Sequence, residues 1–105
     1  MRVRFGPWYP LADAGDHTPP AENVVQVRLG QGLLEYPRGK SAMVWYAHAP
    51  DARAEALALG RLHRNEDLVC RHLIEIDAGA DLGTFCAKLR EDFVRRFGTR
   101  PRYEP

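Results

Sequence analysis

The chain has 105 residues, of which 45% are hydrophobic and 28% are charged, and its formal net charge is +1 at pH 7. This length allows one domain with one core, and no apolar run approaches the roughly 18 residues that a membrane span needs, so we expect a cytoplasmic protein that does not contact a membrane. A net charge this small does not by itself favour nucleic acid, because such affinity depends on several basic side chains acting together.

Residues 1–22 are predicted to form an N-terminal arm. Prolines and glycines interrupt this stretch, so it leaves room for one short strand. Its aromatic residues Phe5 and Trp8 are expected to dock on the main body, since they would otherwise form an unusual exposed apolar patch. Residues 23–105 are then predicted to form a single α+β domain.

The domain is predicted to begin with strands. Residues 24–29 are rich in valine, and the spacer 30–32 separates them from a second extended run at 33–36, which predicts a hairpin. The continuous apolar run 42–47 indicates a strand covered on both faces, and we interpret it as the central strand of the sheet.

Two helices and a third strand complete the prediction. Asp51 is expected to cap an alanine-rich helix that ends near Gly60, and residues 68–76 alternate with the two-residue period of a strand. Asp81 then caps the clearest helix, which Gly98 ends. The apolar residues of this helix recur at three- and four-residue steps: Leu82, Phe85, Cys86, Leu89, Phe93 and Phe97. The predicted fold is therefore a small antiparallel sheet with two main helices, in the order β-β-α-β-α.

Metal and nucleotide sites are not expected. The cysteines and the histidines that could join them show no paired short spacing of the kind that binds zinc, so Cys70 and Cys86 are interpreted as buried, reduced thiols. The segment Gly39-Lys40-Ser41 resembles the end of a phosphate-binding loop. However, Pro37 removes an amide donor and a strand follows instead of a helix, so this segment is interpreted as a basic turn.

Basic and aromatic residues are concentrated around the predicted hairpin and towards residue 105. Such a mixture is typical of proteins that bind single-stranded nucleic acid through charge and stacking. The residues concerned are Arg38, Lys40, Trp45, Tyr46 and Tyr103. Because neighbouring side chains of a strand point to opposite faces, Trp45 and Tyr46 cannot both line one surface.

Over residues 22–104 the order of elements and several landmarks resemble the GIY-YIG nuclease domain. The landmarks are Asn23-Val24-Val25, Trp45-Tyr46-Ala47, Arg53, Glu91 and Pro101-Arg102-Tyr103. The resemblance implies cleavage of phosphodiesters with a divalent cation. In that family the work is done by a tyrosine on each of the first two strands, an arginine on the first helix and a metal-binding glutamate on a later helix.

Most of these catalytic positions are replaced in this chain. The first tyrosine corresponds to Val25 and the second to Trp45, with Tyr46 beside it. Valine cannot activate a water, so a substitute base would be needed, and His48 and Tyr46 are the candidates. If the domain is active, the resemblance implies Tyr46, Arg53 and Glu91 as catalytic residues, with Glu91 holding Mg²⁺ or Mn²⁺.

The leading interpretation is a GIY-YIG-like domain that has lost nuclease activity and binds DNA, RNA or a protein partner without a cofactor. The predicted nucleic-acid surface consists of Arg38, Lys40, Arg53, Arg100 and Arg102. One alternative is a divergent endonuclease that depends on a divalent metal. The other is a homodimer or partner-binding protein that uses an exposed sheet edge.

Overall fold

The computed structural model describes residues 2–104, which form an α+β fold with a five-stranded antiparallel sheet, a separate β-hairpin and three α-helices. The strands are β1 (Val3–Phe5), β2 (Tyr9–Pro10), β3 (Asn23–Leu29), β4 (Leu34–Tyr36), β5 (Gly39–Ser41), β6 (Met43–Ala49) and β7 (Leu68–Ile76). The helices are α1 (Ala14–His17), α2 (Ala52–Leu62) and α3 (Leu82–Phe97), and a 3-10 turn (Leu11–Asp13) precedes α1.

The predicted order β-β-α-β-α is confirmed by β3, β6, α2, β7 and α3. Both predicted caps are present as well. The Asp51 carboxylate accepts a hydrogen bond from the Ala54 N–H at 3.1 Å, and the Asp81 carboxylate accepts from the N–H groups of Gly83 and Thr84. Gly98 ends α3 with a φ of 84°, a left-handed conformation that glycine adopts without strain.

The main sheet has the strand order β1-β7-β3-β6, and β2 pairs with β7 beside β1. The nine residues of β7 are long enough to accept both short strands, since β1 takes one end and β2 pairs with Val69 and Cys70. Residues 2–22 therefore add two strands and two short helical segments to the main body.

Two predictions about pairing are wrong. The strand β4 pairs with β5, not with β3, because β6 and β7 already occupy both sides of β3. For the same reason the run 42–47 is not central: β6 lies at the edge of the sheet, and β3 and β7 are its inner strands. The turn-like spacer 30–32 leads out of the sheet and into the separate hairpin.

The sheet separates two layers of core. On one side Val25, Val27 and Cys70 pack under Ala52 and Ala56 of α2, and we call this the α2 layer. Residues of opposite parity on the strands face the other side. There the sheet packs under α3, in what we call the α3 layer: Val24, Tyr46 and Leu73 of the sheet meet Cys86, Phe93 and Phe97 of the helix.

The remaining predictions about the core also agree with the structure. The apolar stripe of α3 packs on the sheet as predicted, and Cys70 and Cys86 are buried, unpaired thiols. Burial raises the pKa of Cys70 to about 11, so this thiol stays protonated and unreactive near neutral pH. No helix within residues 2–104 is long and apolar enough to cross a bilayer.

Candidate nucleic-acid interface

The β4–β5 turn is fastened to the carboxyl end of α3. The Arg38 N–H donates to the carbonyl oxygen of Phe97 at 3.1 Å, and its Nη1 donates to the carbonyl oxygen of Arg95 at 3.0 Å. A guanidinium is favourable there, because the last carbonyl groups of a helix carry partial negative charge. Lys40 lies on β5 and pairs across the hairpin with Glu35 at 3.6 Å, and both side chains are exposed.

Residues 99–104, which follow α3 and which we call the tail, run beside this hairpin. The Tyr36 hydroxyl donates to the carbonyl oxygen of Met43 at 2.7 Å and accepts from the Arg102 N–H at 3.2 Å. A shallow cleft of about 400 Å³ lies between hairpin and tail, with Arg100 and Arg102 in its wall. The arginine-bearing tail thus meets the β4–β5 hairpin.

Four of the predicted nucleic-acid residues therefore lie at one end of the molecule, and we call this surface the basic end: Arg38, Lys40, Arg100 and Arg102. The fifth, Arg53, is not brought there. It lies on α2, and its Nε donates to the carbonyl oxygen of Thr18 at 2.7 Å, so it fastens residues 2–22 to the α2 layer.

The three residues predicted for a nuclease site are also kept apart. Tyr46 is 8% exposed, and its ring lies under α3 with its centroid 6.0 Å from that of Phe93. Arg53 lies in the opposite layer. Glu91 is exposed on α3, where its carboxylate lies 3.4 Å from the Arg95 guanidinium.

The chemistry of these groups does not favour cleavage. Burial, together with the Glu104 carboxylate, raises the pKa of Tyr46 to about 12, so the phenol is a poor base at neutral pH. His48, the other candidate base, is exposed and lies 2.6 Å from the Glu22 carboxylate. Among residues 2–104, no cluster of three or more histidine, cysteine, aspartate or glutamate residues is placed to hold a metal ion.

The tail also covers the outer edge of β6. The Tyr103 N–H donates to the carbonyl oxygen of Val44 at 3.0 Å, and the Glu104 carboxylate accepts from the Tyr46 N–H at 3.0 Å. Arg90 of α3 donates to the Tyr46 carbonyl oxygen at 2.8 Å and pairs with Glu104 at 2.5 Å. The backbone groups of Val44 and Tyr46 that would recruit another strand are therefore occupied at this part of the edge.

Stacking and a hydrogen bond anchor the tail from its other side. The ring of Tyr103 stacks on His63 with centroids 3.8 Å apart, and its hydroxyl donates to the Glu66 carboxylate. Of the aromatic residues proposed for nucleic-acid binding, Tyr103 and Tyr46 are thus committed to internal contacts. Trp45 is partly buried beside Arg90, Arg100 and Glu104.

A second group of basic and aromatic side chains, which the sequence did not predict, lies on the α3 side of the sheet. The Cζ atom of Arg28 lies 4.0 Å from the ring centroid of Trp8, and that of Arg71 lies 4.5 Å from the same centroid. Arg71 also lies 4.7 Å from the ring centroid of Phe5. We call Phe5, Trp8, Arg28 and Arg71 the sheet-face cluster.

The arginines of this cluster have no carboxylate partner among the described residues. Arg71 Nε donates to the Gln26 Oε1 atom at 2.7 Å, and within residues 2–104 neither Arg28 nor Arg71 forms an ion pair with a carboxylate. Burial and the nearby charge of Arg28 both lower the pKa of Arg71. Strand alternation would have placed both arginines on one face, but only with the correct register of β3 against β7.

Comparison of the sequence with protein-family models, with curated proteins and with solved structures returned no significant match. The resemblance to GIY-YIG nucleases therefore stays a prediction.

Proposed function

We propose that this protein is a non-catalytic nucleic-acid-binding domain that contacts the phosphodiester backbone at the basic end. The observation that carries the proposal is the meeting of two separate basic segments, one with Arg38 and Lys40 and the other with Arg100 and Arg102, around the end of α3. Several cations at one surface neutralise phosphates together and release counterions, which a net charge of +1 spread evenly could not do.

The backbone of this surface is held in place before any ligand arrives. Arg38 is bonded to the end of α3 through its backbone and its side chain, and the Tyr36 hydroxyl links the hairpin to the tail. Because these contacts are already made, little ordering of the chain opposes binding. Lys40 can exchange Glu35 for a phosphate at small cost, since exposed ion pairs contribute little.

The nuclease alternative has no comparable support. Its candidate residues Tyr46, Arg53 and Glu91 lie in the α3 core, in the opposite layer and on the exposed side of α3, respectively. No single phosphodiester could contact all of them, because the sheet lies between Arg53 and the other two.

Fluorescence anisotropy with labelled DNA and RNA oligonucleotides, recorded at several salt concentrations, tests the proposal. The double variant Lys40→Glu/Arg102→Glu reverses two charges of the basic end without removing the Arg38 contacts to α3. We expect its affinity to fall by about tenfold or more, and the slope of log affinity against log salt to become shallower.

The matched control is Arg61→Glu/Arg64→Glu, which reverses two exposed arginines near the end of α2. Its affinity should stay close to that of the unchanged protein. Equal losses in both double variants would show that the basic end is not the contact surface, and no binding by the unchanged protein would refute the function. Incubation with Mn²⁺ should leave the oligonucleotides intact; cleavage that disappears in Glu91→Ala would favour the endonuclease.

A further inference from the structure

We infer that the sheet-face cluster makes the domain selective for single-stranded nucleic acid, by stacking one unpaired base against its planar groups while Arg28 and Arg71 hold the adjoining phosphate. This inference rests on the proposed function and adds the class of ligand. It uses side chains that the basic end does not contain.

The cluster is built by neighbouring strands, so its side chains share one face. Tyr9 pairs with Cys70 and Gln26 pairs with Arg71, which sets Trp8 beside Arg71 and both beside Gln26 across the sheet. Arg28 follows two residues after Gln26 on the same face. A tryptophan ring with two guanidinium groups against it presents flat surfaces of the kind on which a base stacks.

The arginines of the cluster keep hydrogen-bond donors for a ligand. Arg71 uses only its Nε toward Gln26, and within residues 2–104 no buried side-chain nitrogen or oxygen lacks a partner. The Nη nitrogens of Arg71 that make no hydrogen bond therefore reach solvent. The spacing of two guanidinium nitrogens matches the spacing of two phosphate oxygens, which is why arginine so often binds phosphate through paired hydrogen bonds.

The charge of the cluster is also unbalanced. Arg28 and Arg71 share the ring of Trp8, and neither meets a carboxylate among the described residues. Arg90, by contrast, is a partly buried arginine whose charge is balanced by the Glu104 carboxylate. An anion placed between Arg28 and Arg71 would relieve their repulsion.

The cluster and the basic end lie on the same side of the sheet. Arg28 is the cross-strand neighbour of Met43, and the Met43 carbonyl oxygen accepts the Tyr36 hydroxyl that also binds the tail at Arg102. A single-stranded nucleic acid can therefore run from the sheet-face cluster to the basic end. A duplex can offer phosphates to the basic end, but it keeps its base faces inside the stack, so it cannot stack on Trp8 and gains nothing from the sheet-face cluster.

The first experiment compares a labelled oligothymidylate with a labelled DNA duplex by anisotropy. We expect the unchanged protein to prefer the single strand by about tenfold. Arg28→Met removes the guanidinium but keeps a long apolar stem over Trp8, so the melting temperature should hold while single-strand affinity falls about three- to tenfold and duplex affinity does not. Arg61→Met, the same change at an exposed arginine of α2, should alter neither affinity.

The second experiment uses the two tryptophans of the chain. Oligothymidylate should quench the fluorescence of the protein, and Trp8→Phe should abolish the quenching while Trp45→Phe retains it. Quenching that survives in Trp8→Phe and vanishes in Trp45→Phe would place the stacked base at the edge of β6 and overturn the inference.

The outcomes separate the two proposals. No binding of either oligonucleotide overturns both. Binding that is weakened by Lys40→Glu/Arg102→Glu but unchanged by Arg28→Met leaves the basic end in place and overturns only the sheet-face site. Equal affinity for single strand and duplex also overturns only the latter.

Discussion

The α2 layer is closed, whereas the α3 layer is partly open. Ala52 and Ala56 let α2 approach the sheet closely. Residues 2–22 complete the closure with a polar network, in which the Tyr9 hydroxyl lies 2.7 Å from Thr18 Oγ1 and 2.8 Å from His72 Nδ1. Within residues 2–104 no buried side-chain nitrogen or oxygen lacks a hydrogen-bond partner, so the buried part of this network is satisfied inside the protein.

The α3 layer is built from large aromatic side chains and covers only part of its side of the sheet. The helix lies over β3, β5 and β6, while Trp8, Arg28 and Arg71 stay half-buried beside it. The comparison of the two layers shows that one face of a small sheet, here the α2 layer, can hold a core with satisfied polar groups. The other face can then combine the helix α3 with a charged surface, and binding is proposed at that surface.

The largest expected effect is the loss of an aromatic from the α3 layer. Phe93 is 4% exposed and contacts the rings of Tyr36, Tyr46 and Phe97. Phe93→Ala should lower the free energy of unfolding by about 3–5 kcal/mol, because it leaves a cavity where three rings meet. Urea denaturation measures this loss in the free energy of unfolding. A loss below about 1 kcal/mol would show that α3 is loosely packed, and the comparison of the layers would fail.

A smaller effect is expected where the tail joins the α3 layer to the edge of β6. Arg90→Ala leaves the Glu104 carboxylate, whose side chain is 3% exposed, without its cation. We expect a loss of about 2 kcal/mol, below the range for fully buried pairs because the Arg90 side chain is 38% exposed. Arg95→Ala, which breaks exposed pairs on the same helix, should cost under about 0.5 kcal/mol. Similar losses in the two variants would mean that the tail does not seal the edge.

The smallest effect concerns pH and belongs to the closed α2 layer. Burial, and to a lesser extent the charge of His17, lower the pKa of His72 from its ordinary value of 6.5. Between the pKa of His72 in the folded protein and 6.5, this histidine binds a proton in the unfolded chain but not in the folded one. The stability that neutral His72 contributes is therefore present above this pH range and is lost as the pH falls through it. His72→Gln should therefore flatten the decline of stability below pH 6.5, as measured by urea denaturation at several pH values. An unchanged pH profile would show that the network is open to protons.

Several features of the α3 layer could be predicted because their causes are local. The spacing of Phe85, Leu89 and Phe93 fixes which side of the helix is apolar, and Asp81 and Gly98 satisfy its ends whatever it packs against.

The sheet-face cluster could not be predicted in the same way. Trp8 stands in a segment that prolines interrupt, and it reaches Arg71 only because β2 takes the edge of β7 that β1 leaves open. The sequence predicted that β3 would pair with the run 33–36. That pairing would have taken a side of β3 that β6 or β7 occupies in the structure.

The amino-acid sequence alone determined the three long strands, the two long helices with their caps and their apolar faces, because these depend on side chains a few residues apart. The tertiary structure decided which strands pair, which edge the tail covers and which arginines come together. Those outcomes depend on competition between distant segments for the same backbone hydrogen bonds. A local sequence pattern does not specify which of the competing segments will pair.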